Sequence, residues 1–203
     1  MHGMKQNLRS ACCLVVCTVL LASCAATSLT AVWKDPSFER PIRKIAVIGI
    51  FRTPAVRNLF EDEFVRQLGA HGVEAVASYT LIPIDELSDQ DAITEKLGKL
   101  GIDNVLVTRL VDKKTVQSYV PGQVYAVPGY YRSWGGYHRY VYTPGYIVED
   151  TYAFAETNIY EVKNDRLIWS ARSETQISGV QQELIQSFVK IMADRLSADG
   201  LIR

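Results

Sequence analysis

Residues Lys44-Ile45-Ala46-Val47-Ile48-Gly49-Ile50 form a nearly continuous apolar run. Such a run predicts a strand buried on both faces, as in parallel sheets whose crossover helices cover both sides. Thr53-Pro54 then supplies an N-cap and a proline at the first helical position. The helix predicted over about 54–70 places Val56, Leu59, Phe60, Phe64, Val65 and Leu68 on one stripe, and Glu61-Asp62-Glu63 reads as its solvated face. Gly69 and Gly72 stand where a C-cap would end it, and Val73–Ala77 reads as a short second strand. Ser88-Asp89-Gln90-Asp91 resembles a capping box with Asp in place of Glu. It opens a helix carrying Ile93, Leu97 and Leu100 that closes at Gly101, and Val105–Val111 follows as a third strand. The order β-α-β-α-β implies parallel pairing through right-handed crossovers.

The character changes at about residue 113. Residues 119–146 hold eight of the 11 tyrosines, together with Trp134, five glycines and three prolines. Pro121-Gly122, Pro128-Gly129 and Pro144-Gly145 are each candidates for a type II turn. Regular structure returns with the alternating stretch Asp150–Val162, which has Tyr152, Phe154, Tyr160 and Val162 at even positions. Asn164-Asp165 turns the chain and Leu167–Gln176 runs back as a hairpin partner. A last helix, about 179–198, carries Val180, Leu184, Phe188, Ile191, Met192 and Leu196, with Gly200 just past its end. The expected fold is a single α/β domain: β-α-β-α-β, a long Tyr/Gly/Pro insertion at 113–149, an antiparallel hairpin and a C-terminal helix. All lie on one mixed sheet, with the strand at 44–50 central and the hairpin added on the side of the strand at 105–111.

The first 24 residues read as a targeting segment. Lys5 and Arg9 make a positive n-region, residues 11–22 an apolar h-region, and Leu21-Ala22-Ser23-Cys24 has the form of a bacterial lipobox. The h-region is shorter than the ~20 residues of a spanning helix. Residues 1–23 are therefore expected to be a lipoprotein signal peptide, Cys24 the acylated (palmitoylated) first residue, and 24–43 a tether to the domain at 44–203. Ala25 follows, with no Asp at +2; resemblance to known lipoprotein sorting rules then implies the outer membrane, in a host that has one, with the domain expected to face the periplasm. Within the tether, Trp33 is expected to dock on the domain rather than stay in solvent.

Removing 1–23 leaves 180 of 203 residues, enough for one domain with a real core. The precursor carries 22 Lys+Arg and 22 Asp+Glu; the leader holds two of the positives and no acid, so the mature chain is 20 − 22 = −2. That balance gives no footprint for nucleic acid. Cys12, Cys13 and Cys17 lie in the leader, so the mature domain has neither a disulfide nor a thiol nucleophile beyond Cys24.

Trp33-x-Asp35-Pro36, the strand ending Val47-Ile48-Gly49, Arg57-x-x-Phe60-Glu61-Asp62-x-Phe64, and Ser78-Tyr79 ahead of Pro83 together resemble a family of small bacterial lipoproteins with no assigned activity. More loosely, residues 44–111 are similar to the N-terminal domain of TolB, in an Ile-Ala-Val strand and the run Leu100-Gly101-Ile102-Asp103-Asn104-Val105-Leu106-Val107. Related α/β domains occur in curli-secretion lipoproteins and in lipoprotein activators of peptidoglycan synthases. The resemblance implies an α/β fold and an envelope setting, and brings no catalytic residue with it.

Chemistry-bearing patterns are scarce. There is no G-x-S-x-G, P-loop, G-x-G-x-x-G or His-Glu-x-x-His pattern, and the mature chain's His71 and His138 lack ligand spacing, so no metal or cofactor is expected. His71 reads as a helix-end residue. Glu156 and Glu174 are set to face each other across the hairpin, where paired carboxylates can cleave glycans, although a solvated sheet face is the plainer reading. The aromatic stretch is the main candidate for binding: Tyr130, Tyr131, Trp134, Tyr137 and Tyr140, flanked by Arg132 and Arg139. The expected function is a non-enzymatic binding or assembly module, held on the membrane by lipid and contacting an envelope protein or cell-wall polymer. The alternatives are a subunit of an outer-membrane secretion assembly and, behind it, a glycan-acting enzyme.

Overall fold

The computed structural model describes residues 27–86, 89–126 and 140–203. Six strands form one mixed sheet in the order β1-β8-β7-β4-β2-β3. They are β1 (Thr27–Lys34), β2 (Lys44–Ile50), β3 (Glu74–Ala77), β4 (Asn104–Val120), β7 (Tyr146–Glu161) and β8 (Arg166–Gln176). A separate two-stranded ladder pairs β5 (Gln123–Ala126) with β6 (Tyr140–Thr143). The α-helices among the described residues are α1 (Pro54–Ala70), α2 (Gln90–Lys99) and α3 (Gln181–Ala198). As expected, β2 lies between two parallel neighbours, β3 and β4, and the β7–β8 hairpin adds antiparallel strands on the β4 side.

Chain direction places the helices. β3 and β4 flank β2 on opposite sides, so right-handed crossovers put α1 on one face of the sheet and α2 on the other. α3 packs beside α1. Beneath them lies the main core, where Phe60, Phe64, Leu68, Phe188, Val189, Met192 and Leu196 meet Val47, Leu106, Ile159 and Trp169. Under α2 the core is smaller: Ala46, Leu97 and Ile102, with Val76, Ile93 and Val105 against them. The helix ends follow their capping chemistry. Pro54 opens α1 behind Thr53, the Asp89 side chain accepts the Ala92 N–H at 3.0 Å to start α2, and Gly72, Gly101 and Gly200 take positive φ just past the three helices.

Four expectations are corrected. Residues 27–34, read as tether, are the edge strand β1, paired antiparallel to β8. Its register shifts between Leu29 and Ala31, so the inward residues Leu29 and Val32 stand three apart and the period of two disappears. Second, much of the insertion at 113–149 is strand: β4 runs on to Val120 and β7 begins at Tyr146. Third, Pro121-Gly122 and Pro144-Gly145 do not reverse the chain. Gly145 does not take the positive φ of a type II turn, and the two pairs break a ribbon that resumes as β5–β6. Fourth, Glu61 and Glu63 of α1 are buried, at 0% and 7% exposure, while Asp62 alone of the three faces water.

Candidate contact surface

α2 is short and covers only β2, β3 and β4 on its side of the sheet, so among the described residues no helix lies over that face of β7, β8 and β1. Side chains alternate along a strand, and the buried Thr157 and Ile159 fix which set of β7 points into the main core. The even-numbered residues, Tyr152, Phe154, Glu156, Asn158 and Tyr160, therefore lie on the open face. The small Ala153 and Ala155 face the helices instead. Alternation was legible in the sequence, but its polarity was not: along β7 the large rings point outward.

Registers order this face into rows. Trp33 pairs with Ser170, Ser170 with Asn158 and Asn158 with Val107. In the next row Ala31 pairs with Arg172, Arg172 with Glu156 and Glu156 with Arg109. Beyond it stand Glu174, Phe154 and Asp112, then Gln176, Tyr152 and Lys114. Trp33 is 48% exposed, so it docks on the sheet edge with half its surface in water. Arg172 is exposed, while Tyr152, Phe154 and Tyr160 are half-buried. The charges cross-link the face. Glu156 accepts from Asn158 Nδ2 at 3.0 Å and from the Arg109 guanidinium at 3.1 Å, and the amide and the guanidinium hold its carboxyl below the usual range. Glu174 lies opposite Phe154, and Arg172 lies opposite Glu156. The two carboxylates do not form an opposed pair, and Glu156, kept ionised, is poorly set to act as a general acid.

At the border of this face a hollow of about 410 Å³ separates α2 from the sheet, lined by Ile48, Ile93, Leu97, Val107, Tyr160 and Val162 among others. On the opposite face a more apolar cavity of about 360 Å³ lies between the N-terminal ends of α1 and α3 and the sheet. Phe51, Phe60, Phe188, Leu110, Ala155 and Ile185 contribute to its walls.

The second part of the surface is a ribbon. β2 pairs with β4 only as far as Arg109, and β8 pairs with β7 only from Tyr152 onward. Past those points β4 and β7 continue as a two-stranded arm, from Thr115↔Thr151 to Val120↔Tyr146; beyond Thr151, whose carbonyl accepts the Ile177 N–H at 2.7 Å, neither outer edge is paired with another strand among the described residues. A ribbon this narrow has no core of its own, and it carries Val116, Tyr119, Tyr146 and Ile147 exposed. Tyr119 lies over Gly145, where an added Cβ would collide with its hydroxyl oxygen.

The remaining expected sites are placed as follows. Cys24, Tyr130, Tyr131, Trp134 and Tyr137, with Arg132 and Arg139, lie outside the described residues. Tyr140 is the first residue of β6, paired in register with Ala126. His71 is the C-cap of α1, and its Nδ1 lies 2.6 Å from the Arg203 carbonyl oxygen. Among the described residues no His, Cys, Asp and Glu side chains gather as a metal site, and no helix is long and apolar enough to cross a membrane.

No family profile matches the sequence, and no curated protein matches it significantly. Among solved structures, a PelC dodecamer from Paraburkholderia phytofirmans is similar, at 12% identity and a TM-score of 0.49, over 84% of this chain and 96% of that one. Lipoprotein GNA1162 from Neisseria meningitidis is 12% identical at a TM-score of 0.40, over 77% and 99% of the two chains. A PDZ domain protein from Parabacteroides distasonis gives 10% and 0.38, over 82% of this chain and 33% of its own. Likeness at this level carries no function across.

Proposed function

We propose that this chain is a lipid-anchored envelope lipoprotein that works as a non-enzymatic binding or assembly module, with Cys24 as the acylated residue. The observation that carries the reading is the face of β7, β8 and β1 that no described helix covers. It sets Trp33, Tyr152, Phe154 and Tyr160 among Arg109, Arg172, Glu156 and Asn158 on a rigid sheet. Rings give contact area at low entropic cost, and the fixed polar groups beside them give direction. Such a surface fits an envelope protein or a cell-wall polymer.

The anchor is tested separately. Cys24→Ala is expected to abolish metabolic labelling by a fatty-acid probe and removal of residues 1–23 at that site. Several acyl chains hold a protein on a membrane where one does so only marginally, so wild type should stay in the membrane pellet through high salt. Wild type recovered free in the periplasm would refute the anchored reading.

The binding face is tested by pull-down from crosslinked membranes, with purified peptidoglycan assayed alongside. Truncating a true aromatic hot spot costs about 2 kcal/mol or more, so Trp33→Ala with Phe154→Ala should lower retention of the captured partner at least tenfold without shifting the unfolding midpoint by more than a few degrees. Unchanged retention on both arms would refute the open face as the contact surface. The secretion-assembly reading draws on a different observation, the unpaired edges of the ribbon, which can add a strand from another chain. Its signature in the same experiment is a ladder of crosslinked copies of this chain alone.

A further inference from the structure

The strand registers place the start of β1 at one end of the sheet. Thr27, the first residue of β1, pairs with Thr175; Thr175 pairs with Ala153, and Ala153 with Lys113. These four residues form one row across the sheet, at the end from which the ribbon leaves. Cys24 precedes Thr27 by three residues, and a chain spans at most ~3.6 Å per residue, so three residues reach at most ~11 Å from this row. The opposite end of β1 is seven residues away, at Lys34, or ~23 Å at ~3.3 Å per residue. That end is beyond the anchor's reach.

The ribbon runs in the same direction and further. From Lys113 to Val120 is again seven residues, ~23 Å past the row, about twice what the link to Cys24 can cover. A domain held this closely cannot turn its ribbon away from the bilayer. Polarity along the ribbon matches that constraint. At its base Asp112, Lys113, Lys114 and Thr115 stand opposite Phe154, Ala153, Tyr152 and Thr151, and Asp150 follows opposite Val116. Its far end is Tyr119 opposite Ile147 and Val120 opposite Tyr146, with Tyr119 69% and Ile147 63% exposed. The sequences beyond, Gln-Val-Tyr-Ala in β5 and Tyr-Val-Tyr-Thr in β6, carry no charge. Tyrosine favours the membrane–water interface, where its ring is apolar and its hydroxyl is wet.

We propose that the end of the sheet bearing the ribbon faces the membrane and that Tyr119, Tyr146 and Ile147 rest in the headgroup region of a phospholipid bilayer. The proposal rests on Cys24 being the lipidated residue. The ribbon lies in the interface and does not cross: Pro121 and Pro144 interrupt the ladder, and the paired Gln117 and Glu149 keep its middle polar.

The test uses the lipidated full chain, whose only mature cysteine is the acylated one, so an added cysteine can be labelled alone. Ile147→Cys, at the far end of the ribbon, and Lys163→Cys, in the turn between β7 and β8 at the other end of the sheet, each receive an environment-sensitive fluorophore. The chains are placed in phosphatidylethanolamine–phosphatidylglycerol vesicles containing lipids spin-labelled near the headgroup. The expected result is a blue-shifted emission, quenched by the spin label, at 147 and neither change at 163. A chain that stays on the vesicles with both labels unquenched keeps the anchor and overturns the orientation. A chain that acquires no lipid and does not bind overturns Cys24 as the anchor, and the orientation with it. Position 147 unquenched in lipid but shielded by a crosslinked protein in native membranes overturns the lipid as occupant in favour of a protein.

Discussion

Glu61→Ala is expected to destabilise the domain by about 3–5 kcal/mol, the loss typical of breaking a buried ion pair by removing one partner. Glu61 is fully buried and Arg57, one turn earlier on α1, is 3% exposed. Glu61 Oε1 accepts from Arg57 Nε at 2.8 Å, from the Gly49 backbone N–H at 2.9 Å and from Ser78 Oγ at 2.9 Å, and Oε2 accepts from the Tyr79 N–H at 2.8 Å. Arg57 in turn donates to Ser78 Oγ at 2.8 Å and to the Ile82 carbonyl at 3.1 Å. One carboxylate thus ties α1 to the end of β2 and to the turn after β3. Its removal leaves a guanidinium without a counter-charge and takes the acceptor from the buried Gly49 N–H and the part-buried Tyr79 N–H, each costly in itself. With total stability of only ~5–15 kcal/mol, Glu61→Ala should be partly unfolded near room temperature. Urea unfolding of wild type, Glu61→Ala and the pair Arg57→Met with Glu61→Leu checks this. The double variant should recover much of the loss, because it leaves no charge stranded. A single-variant loss below about 1 kcal/mol would mean that the network does not hold these elements together.

This network also shows how far the sequence could be read. The bounds of α1 follow from Thr53-Pro54 and Gly72, and the apolar stripe from Phe60, Phe64 and Leu68. Yet Arg57, Glu61, Phe64 and Leu68 are spaced four, three and four, which is that same stripe. Treating charge as a sign of exposure hid it; the i,i+4 pairing of opposite charges on a core stripe was the available signal. The two missed pieces of strand have other causes. In β1 a bulge broke the alternation. In the ribbon, residues 112–118 (Asp-Lys-Lys-Thr-Val-Gln-Ser) face water on both sides, so no hydrophobic period marks them as strand. The open face was half legible: the aromatic residues of β7 stand at one parity in the sequence, but only the packing of α3 shows that the other parity is the buried one. Because residues 27–34 are strand, a tether of the length that the sequence allowed over 24–43 is ruled out, and the orientation proposed for the domain depends on that difference.

Phe60→Ala and Phe188→Ala are each expected to cost about 3–5 kcal/mol, the usual range for truncating a buried phenylalanine. The two rings are 3% and 7% exposed and sit 5.7 Å apart, centroid to centroid. Phe60 also meets Phe51 at 4.8 Å and Phe64 at 5.0 Å, each edge-on, and Phe188 meets Phe64 at 6.4 Å. Aromatic pairs add about 0.5–1.5 kcal/mol beyond area burial, and Phe60 loses more of them than Phe188. Phe60→Ala should therefore be the more damaging of the two, even though both rings line the 360 Å³ cavity and their removal enlarges a hollow already present. Because the rings touch, the double variant should fall short of the sum of the singles by at least ~0.5 kcal/mol, the lower bound typical of residues in contact. Urea midpoints at constant m-value give all three numbers. Strict additivity would separate the two helices energetically, and a single-variant loss below about 1 kcal/mol would show that α1 and α3 are not held to the sheet through this cluster.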